Sequence, residues 1–437
     1  MKQTTWGIIG GGIMGMTLAL RLAQQGYKVT LFEAAPGLGG LAASWKINDF
    51  VWDKYYHVIL LSDTYTRGVL KELNLDEKIE WVETKTGFYT DGKLYSMSNT
   101  LEFLSFPPLN LIDKFRLGIT IFLASKLKNW KRLEQIPVET WLQRWSGKNT
   151  FNKIWLPLLR AKLGESYKQT STAFIWATIQ RMYAARRSGL KKEMFGYVRG
   201  GYAEILRNFE SKLHSEGIEI QINHQAATIS SSPDGVTVKF SNGNERFFNQ
   251  VISTLPSGIS AEICKGLSRE EIAKLKGIEY LGVICASVVL DREISPYYVT
   301  NITDTWLPFT GVIEMSALAD KKNFGGDTLI YLPKYLKAED PLFQAPDKDI
   351  ETLFLEALLK MYPFLTAKNI KFVGIARASK VFALSTIGYS RNLPDIKTSL
   401  PGVYILNAAH ITNGTLNVNE TIQIADSKLK EILADHV

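Results

Sequence analysis

Trp6-Gly7-Ile8-Ile9-Gly10-Gly11-Gly12-Ile13-Met14-Gly15 is the stretch whose reading decides the fold. Trp6 to Ile9 reads as a short buried strand. The glycine loop after it opens a helical pattern through Leu18, Leu20 and Leu22 to Gly26. A second strand, Lys28-Val29-Thr30-Leu31-Phe32, ends at Glu33. The result is a βαβ opening with G-x-G-x-x-G at its first turn. Gly10 permits the tight turn, Gly12 lets backbone approach a pyrophosphate, and Gly15 allows the helix to pack closely on the strand. Phosphates would sit on the helix N-terminus, where free N–H groups and the helix dipole favour negative charge. Glu33, 21 residues after Gly12, is placed to bond a ribose hydroxyl.

The next residues separate two dinucleotides. Gly37-Leu38-Gly39-Gly40 follows Glu33 directly, where a nicotinamide-binding unit would start a helix. A second glycine turn lets another length of backbone approach the pyrophosphate and ribityl chain of a longer cofactor, so FAD is expected. Gly196-Tyr197-Val198-Arg199-Gly200-Gly201 lacks the spacing that a separate nicotinamide site would need.

The run from Glu33 to Trp45 resembles the second glycine motif of the flavin-containing amine oxidase, protoporphyrinogen oxidase and phytoene desaturase group. The resemblance resumes at Gly200-Gly201, at Gly217-Ile218-Glu219-Ile220 and at Val251-Ile252-Ser253-Thr254-Leu255-Pro256. It ends with Pro401-Gly402-Val403-Tyr404-Ile405-Leu406-Asn407 before a final helix. Two positions depart from the family pattern: Leu41 stands where Arg is usual, and Asn407-Ala408 where Gly-Asp is usual.

The resemblance implies an α/β fold in which a Rossmann-like FAD-binding domain (1–70, 195–268 and 385–437) is interleaved with a substrate domain of mixed sheet and helices (71–194 and 269–384). Local patterns agree with it. Val236 to Phe240 alternates, Ser241-Asn242-Gly243-Asn244 is a hairpin turn, and Arg246-Phe247-Phe248 returns. Residues 280–290 read as a long strand, 309–313 and 328–332 as further strands, and 71–194 as mostly helical. Asn417 stands three residues before Glu420, a capping-box-like start to the last helix.

The same resemblance implies cofactor contacts at Gly10, Gly12, Ile13, Met14, Gly15 and Glu33, at Gly39, Gly40, Leu41 and Ala42, and at Tyr56 and His57. Ala226, Thr254, Asn407, Asn417, Val418 and Asn419 complete the set. In the family the N-terminus of the last helix points at the flavin N1/C2=O edge, where its dipole would stabilise reduced flavin. Asp53-Lys54-Tyr55-Tyr56-His57 matches the position that passes the flavin ring, and His410 follows the last cofactor strand. The candidates for catalysis are therefore His57, Tyr56, Tyr389 and His410. The histidines would act as acid or base near pH 7, or each would bond backbone and fix the cofactor. Tyr389 would face substrate or fill the core. No metal site, nucleophilic triad or P-loop is expected.

Composition sets the remaining bounds. At 437 residues, two domains are the default, and 46% apolar with 22% charged residues is a globular composition. Two cysteines, Cys264 and Cys285, build no disulfide framework and fit a reducing compartment. The uncharged stretch from Thr4 to Leu20 is too rich in glycine for a signal peptide, and no run reaches the roughly 20 apolar residues of a membrane span. A cytoplasmic protein is expected, soluble or resting on a membrane, its oligomeric state open.

The net charge of +8 is concentrated. From Phe103 to Arg199 there are 18 Lys and Arg against 5 Asp and Glu, +13, while the rest of the chain sums to −5. Within 103–133, basic residues flank an apolar centre from Leu117 to Ser125, the make-up of a helix lying on an anionic membrane surface. A core helix with a basic edge is the plainer reading. A phosphorylated substrate held by Arg160, Arg181, Arg186 and Arg187 is a third, and nucleic acid is not expected.

Three functions are thus in view. The first is an FAD-dependent oxidoreductase taking a hydride from a small lipophilic or amine substrate. The second is a flavin-dependent isomerase resembling UDP-galactopyranose mutase. The third is a flavoprotein that has lost its chemistry.

Overall fold

The structure, a computed structural model, describes residues 4–185 and 194–434. The opening strand Thr5–Ile9 lies at the centre of a five-stranded parallel sheet. Its order is Glu219–Gln221, Lys28–Phe32, Thr5–Ile9, Gln250–Ser253 and Val403–Ile405. Helices cover one face of this parallel sheet and a second sheet the other, so its residues are buried almost throughout. Helices Ile13–Gln24, Gly201–Ser215 and Val418–Ala434 provide the cover. Leu18, Leu20, Leu22, Phe209, Leu213, Ile422 and Leu429 meet Ile8 and Leu31 in one core.

The expected hairpin forms, with Gly235–Phe240 antiparallel to Glu245–Phe248. It joins Ala226–Ser232 and Cys264–Lys265 in a second sheet packed beside the first.

The inserted segments, far apart in sequence, meet in a seven-stranded mixed sheet. Tyr280–Leu290 is a single buried strand, flanked by Ile370–Ala383 and Thr328–Leu336. Gly311–Glu314 and Val299–Ile302 extend that sheet, and Thr86–Thr90 then pairs parallel to Val299–Ile302. This last pairing fastens 71–194 to 269–384. The segment 71–194 is therefore less helical at its start than its pattern suggested. Ile79–Glu83, Thr86–Thr90 and Lys93–Ser96 are strands, while helices fill 100–185. Short alternating stretches such as Thr-Gly-Phe-Tyr-Thr carry little local signal, and their tertiary partners make them strands.

No helix among the described residues is long and apolar enough to cross a membrane.

Candidate functional site

The glycine loop is held by two contacts that no side chain could replace. Gly10 has φ +110°, a conformation costly for L side chains, and a Cβ on Gly15 would lie 1.9 Å from the Gly10 carbonyl oxygen. Thr254 Oγ1 donates to the carbonyls of Ile9 (3.0 Å) and Gly10 (3.2 Å), locking the turn from the neighbouring strand. The helix thus starts hard against the strand end. Met16 N–H is the one that returns to Gly12, which leaves the N–H groups of Ile13 and Met14 at the open helix end.

The second turn lies on the first. Gly39 N–H donates to the Gly11 carbonyl (2.8 Å), and a Cβ on Gly40 would stand 3.2 Å from the Gly12 Cα. Gly12 differs from its neighbours. Its φ of −73° suits any residue, and a Cβ there would meet only the Gly40 Cα, at 4.0 Å. Nothing among the described residues demands glycine at 12. A ligand running across bare backbone would, and a pyrophosphate between the two turns fits that demand. Leu41 and Ala42 close the second turn, Ala42 buried and Leu41 partly so.

Glu33 stands at the rim. Its carboxylate accepts from Gly11 N–H (2.7 Å) and Ala35 N–H (2.8 Å), leaving each oxygen lone-pair capacity for a ribose hydroxyl. Ala226 begins a strand two residues beyond His224, whose N–H donates to the Glu33 carbonyl (2.8 Å).

The C-terminal residues are tied mostly to the protein itself. The Asn417 side chain caps the last helix by accepting from Glu420 N–H (3.0 Å), and Val418 opens that helix. Asn419 Oδ1 accepts from the N–H groups of Tyr65 (2.9 Å) and Thr66 (3.2 Å), so this oxygen fastens another helix start. Asn407 is buried. It accepts from Ala409 N–H and donates to the Leu255 carbonyl (2.8 Å) and Ser257 Oγ (3.2 Å), stitching two strand ends together.

The four catalytic candidates divide. His410 is buried, its Nδ1 accepts from Asn407 N–H (3.2 Å), and burial lowers its pKa. That geometry favours the backbone-fixing role. Tyr389 is a core residue, its hydroxyl donating to the Ala409 carbonyl (2.7 Å) rather than facing a substrate. The remaining two sit on the segment that follows the second glycine turn, beyond the hairpin of Ser44–Ile47 and Phe50–Asp53. His57 Nδ1 lies 2.8 Å from the Tyr55 carbonyl. The carbonyl can only accept, so Nδ1 carries the proton and Nε2 the lone pair. Burial pushes His57 down to about 4, and its ring lies 4.7 Å from that of Tyr202. Tyr56 shares a 2.8 Å hydrogen bond with Tyr335 of the large mixed sheet, bridging the two halves of the molecule.

Two residues lie beside these: Asp53, which stood in the same sequence segment without a role of its own, and Lys162, which carried no signal in the sequence. Asp53 is almost fully buried and accepts from Tyr202 N–H (2.8 Å) at the start of helix Gly201–Ser215, with its other oxygen 3.8 Å from His57 Nδ1. Burial pushes it up to about 8. Lys162 places its Nζ 3.3 Å from the Tyr335 ring centre and 5.4 Å from that of Phe382. Among the described residues no carboxylate pairs with it, and burial lowers it to about 7. Only the fold brings a lysine of the inserted helices to Tyr335, the hydrogen-bond partner of Tyr56.

Of the four arginines, Arg160 and Arg181 are described, and each is paired. Arg181 pairs with Asp63 (3.0 Å) and Arg160 with Glu165 (3.1 Å), so both guanidiniums already have carboxylate partners. Arg186 and Arg187 lie outside the described residues.

The family model for flavin containing amine oxidoreductases matches residues 13–406. The chain belongs to this family. Its cofactor is FAD, in keeping with the paired glycine turns. A 15-cis-phytoene desaturase of Glycine max is 20% identical over 385 residues, covering 82% of this chain and 65% of that protein. The chain therefore spans slightly under two thirds of that desaturase's length. An oxidoreductase from Methanosarcina mazei superposes with a TM-score of 0.76 at 17% identity, covering 98% of this chain and 100% of the other. A reduced UDP-galactopyranose mutase superposes equally well (TM-score 0.76, 18% identity, 99% of this chain and 94% of the other). At such identities these two likenesses show the fold.

Two substitutions separate fold from cofactor in this chain. Gly15→Ala drives a methyl into the Gly10 carbonyl and should cost about 3 kcal/mol of stability or prevent folding. Gly12→Ala should leave the thermal melt of the apoprotein equal or slightly raised. It should weaken FAD at least about tenfold, roughly 1.4 kcal/mol, read from flavin absorbance on titration. A Gly12→Ala protein that binds FAD like the wild type would contradict the assignment.

Asp53 generates a second test. Between about pH 4 and pH 8 the unfolded chain releases this proton and the folded chain keeps it, so stability falls as pH rises through that window. Asp53→Asn retains an acceptor for Tyr202 N–H and removes the slope. The difference in melting temperature, variant minus wild type, should become more positive from pH 5 to pH 8. A difference independent of pH would contradict it.

Proposed function

We propose that this protein is an FAD-dependent oxidoreductase acting on a lipophilic, uncharged substrate held between the flavin groove and the mixed sheet. The observation that carries the substrate class is the corner formed by Tyr56, Tyr335 and Lys162. It offers aromatic faces and an amine, with Phe382 beside it and Phe174 stacked on Phe382 at 6.3 Å. Among the described residues, no carboxylate pairs with Lys162 to receive an amine substrate arriving as a cation. An apolar chain would pack on the rings.

Bound flavin supplies a two-electron hydride acceptor. The chain contributes position and proton handling. Tyr56 and Tyr335 hold the substrate surface in place across the seam between the two halves. Lys162, neutral above about pH 7, can receive the proton that leaves the carbon next to the oxidised one. Loss of a hydride and a proton from adjacent carbons leaves a double bond, which balances as a two-electron desaturation. The desaturase relative supports this class of reaction. The arginine pairings weigh against a sugar nucleotide, so the mutase likeness adds no second reading.

Anaerobic bleaching of the flavin by a polyene precursor or another lipophilic alkene, and not by primary amines, is the expected result. Reduction by amines alone would overturn the substrate class, and a protein that never takes up FAD would overturn the whole reading. In the wild type the reductive rate should rise as pH passes through about 7. Lys162→Met should flatten that rise and slow reduction about a hundredfold, with FAD still bound. An unchanged pH profile in the variant would remove Lys162 from proton transfer.

A further inference from the structure

The helix Leu111–Lys126 is inverted. It buries Asp113, Lys114, Thr120 and Ser125 along with Leu117 and Ala124. It exposes Leu111, Ile112, Phe115, Ile119 and Phe122, the first three at 74%, 73% and 70%. At about 100° of rotation per residue, these five occupy one stripe roughly 100° wide, and the buried Asp113, Leu117, Thr120 and Ala124 lie opposite. A helix docked only by its own hydrophobicity would turn the other way.

Polar bonds fix this orientation. Lys114 Nζ donates to the Leu104 carbonyl (2.6 Å), and Arg116 donates to the carbonyls of Arg144 (3.0 Å) and Trp145 (3.2 Å). At the other end Trp176 Nε1 donates to the Leu127 carbonyl (3.0 Å), and Gln180 donates to that of Ala124 (2.7 Å). Rotating the stripe inward would break these bonds and strand buried polar groups. The short helix Thr100–Ser105 beside it adds exposed Leu101 and Leu104 to the same apolar surface.

The exposed charge that follows the stripe is basic. Lys126, Lys128, Lys131 and Arg132 are all exposed and follow the stripe directly. Lys126 lies over the Phe122 ring and Lys131 over Trp130. An apolar stripe ending in a basic cluster, with a tryptophan among the charges, complements a bilayer of anionic lipid. Acyl chains would take the leucines and phenylalanines, and headgroups the lysines. We propose that the 101–132 face is a membrane-docking surface that rests the protein on anionic lipid without spanning it. The proposal stands apart from the flavin reading, since none of these residues touches the glycine groove.

Flotation of the full-length, FAD-loaded protein with vesicles of phosphatidylcholine and phosphatidylglycerol tests it. At low salt the wild type should float with the mixed vesicles at least tenfold more than with phosphatidylcholine alone. Phe115→Glu combined with Phe122→Glu should abolish flotation and leave the flavin spectrum unchanged, because both side chains are exposed. Lys128→Glu combined with Lys131→Glu should lower flotation on anionic vesicles only. Brominated lipid should quench tryptophan fluorescence in the wild type and not in the phenylalanine variant. Wild-type protein that stays at the bottom of the gradient overturns the proposal, as does flotation indifferent to the phenylalanine changes. A dimer that the phenylalanine variant converts to a monomer, without vesicle binding, would assign the face to a second copy of the chain instead.

Discussion

The approach of Gly15 to the Gly10 carbonyl is the constraint on which the rest of the site depends. With no Cβ between them, the first helix starts directly on the end of the central strand, and its N-terminus opens where a phosphate can reach it. The neighbouring strand supports that turn through Thr254, and the second glycine turn lies on it through the bond from Gly39 to Gly11. Two lengths of chain almost thirty residues apart thereby present bare backbone to one groove. The parallel sheet holds this geometry stiffly, because its strands are buried and paired on both sides of Thr5–Ile9.

The proposed chemistry depends on a different join. Pairing of Thr86–Thr90 with Val299–Ile302 makes one sheet from two insertions, and that sheet carries Tyr335 to Tyr56. Lys162 arrives on a helix packed against the same strand as Tyr335. The corner in front of the cofactor segment is thus built from three stretches that only the finished fold brings together. Asp53 and His57, a step away, are both held near neutrality by burial and support the start of helix Gly201–Ser215.

The pattern of legibility follows from these facts. Backbone requirements leave marks in a single sequence, so the glycine turns, the hairpin at Gly243 and the Asn417 cap could all be read directly. Tertiary partners do not. Tyr389 and His410 stood next to cofactor motifs, yet the first donates to Ala409 and the second accepts from Asn407, as their burial requires. Asn407 and Asn419, expected at the cofactor, also bond backbone of other segments through their side chains, which no sequence pattern announces. Arg160 and Arg181 looked like phosphate donors until their carboxylates were known. The basic segment was visible as charge. Its direction was not, because the apolar centre from Leu117 to Ser125 mixes residues from both faces of the helix, and only the polar anchors decide which face turns outward.

The central claim is that FAD crosses Gly12 and Gly40 and brings its ring to the Tyr56 segment, with Lys162 on the far side of the substrate space. A crystal structure of the FAD-loaded protein tests this most directly. The pyrophosphate should lie in van der Waals contact with the Cα atoms of Gly12 and Gly40, a Glu33 oxygen should accept from a ribose hydroxyl, and the flavin ring should pack beside Tyr56 and His57. A flavin ring turned away from Tyr56, or a pyrophosphate that avoids Gly12, would contradict the account.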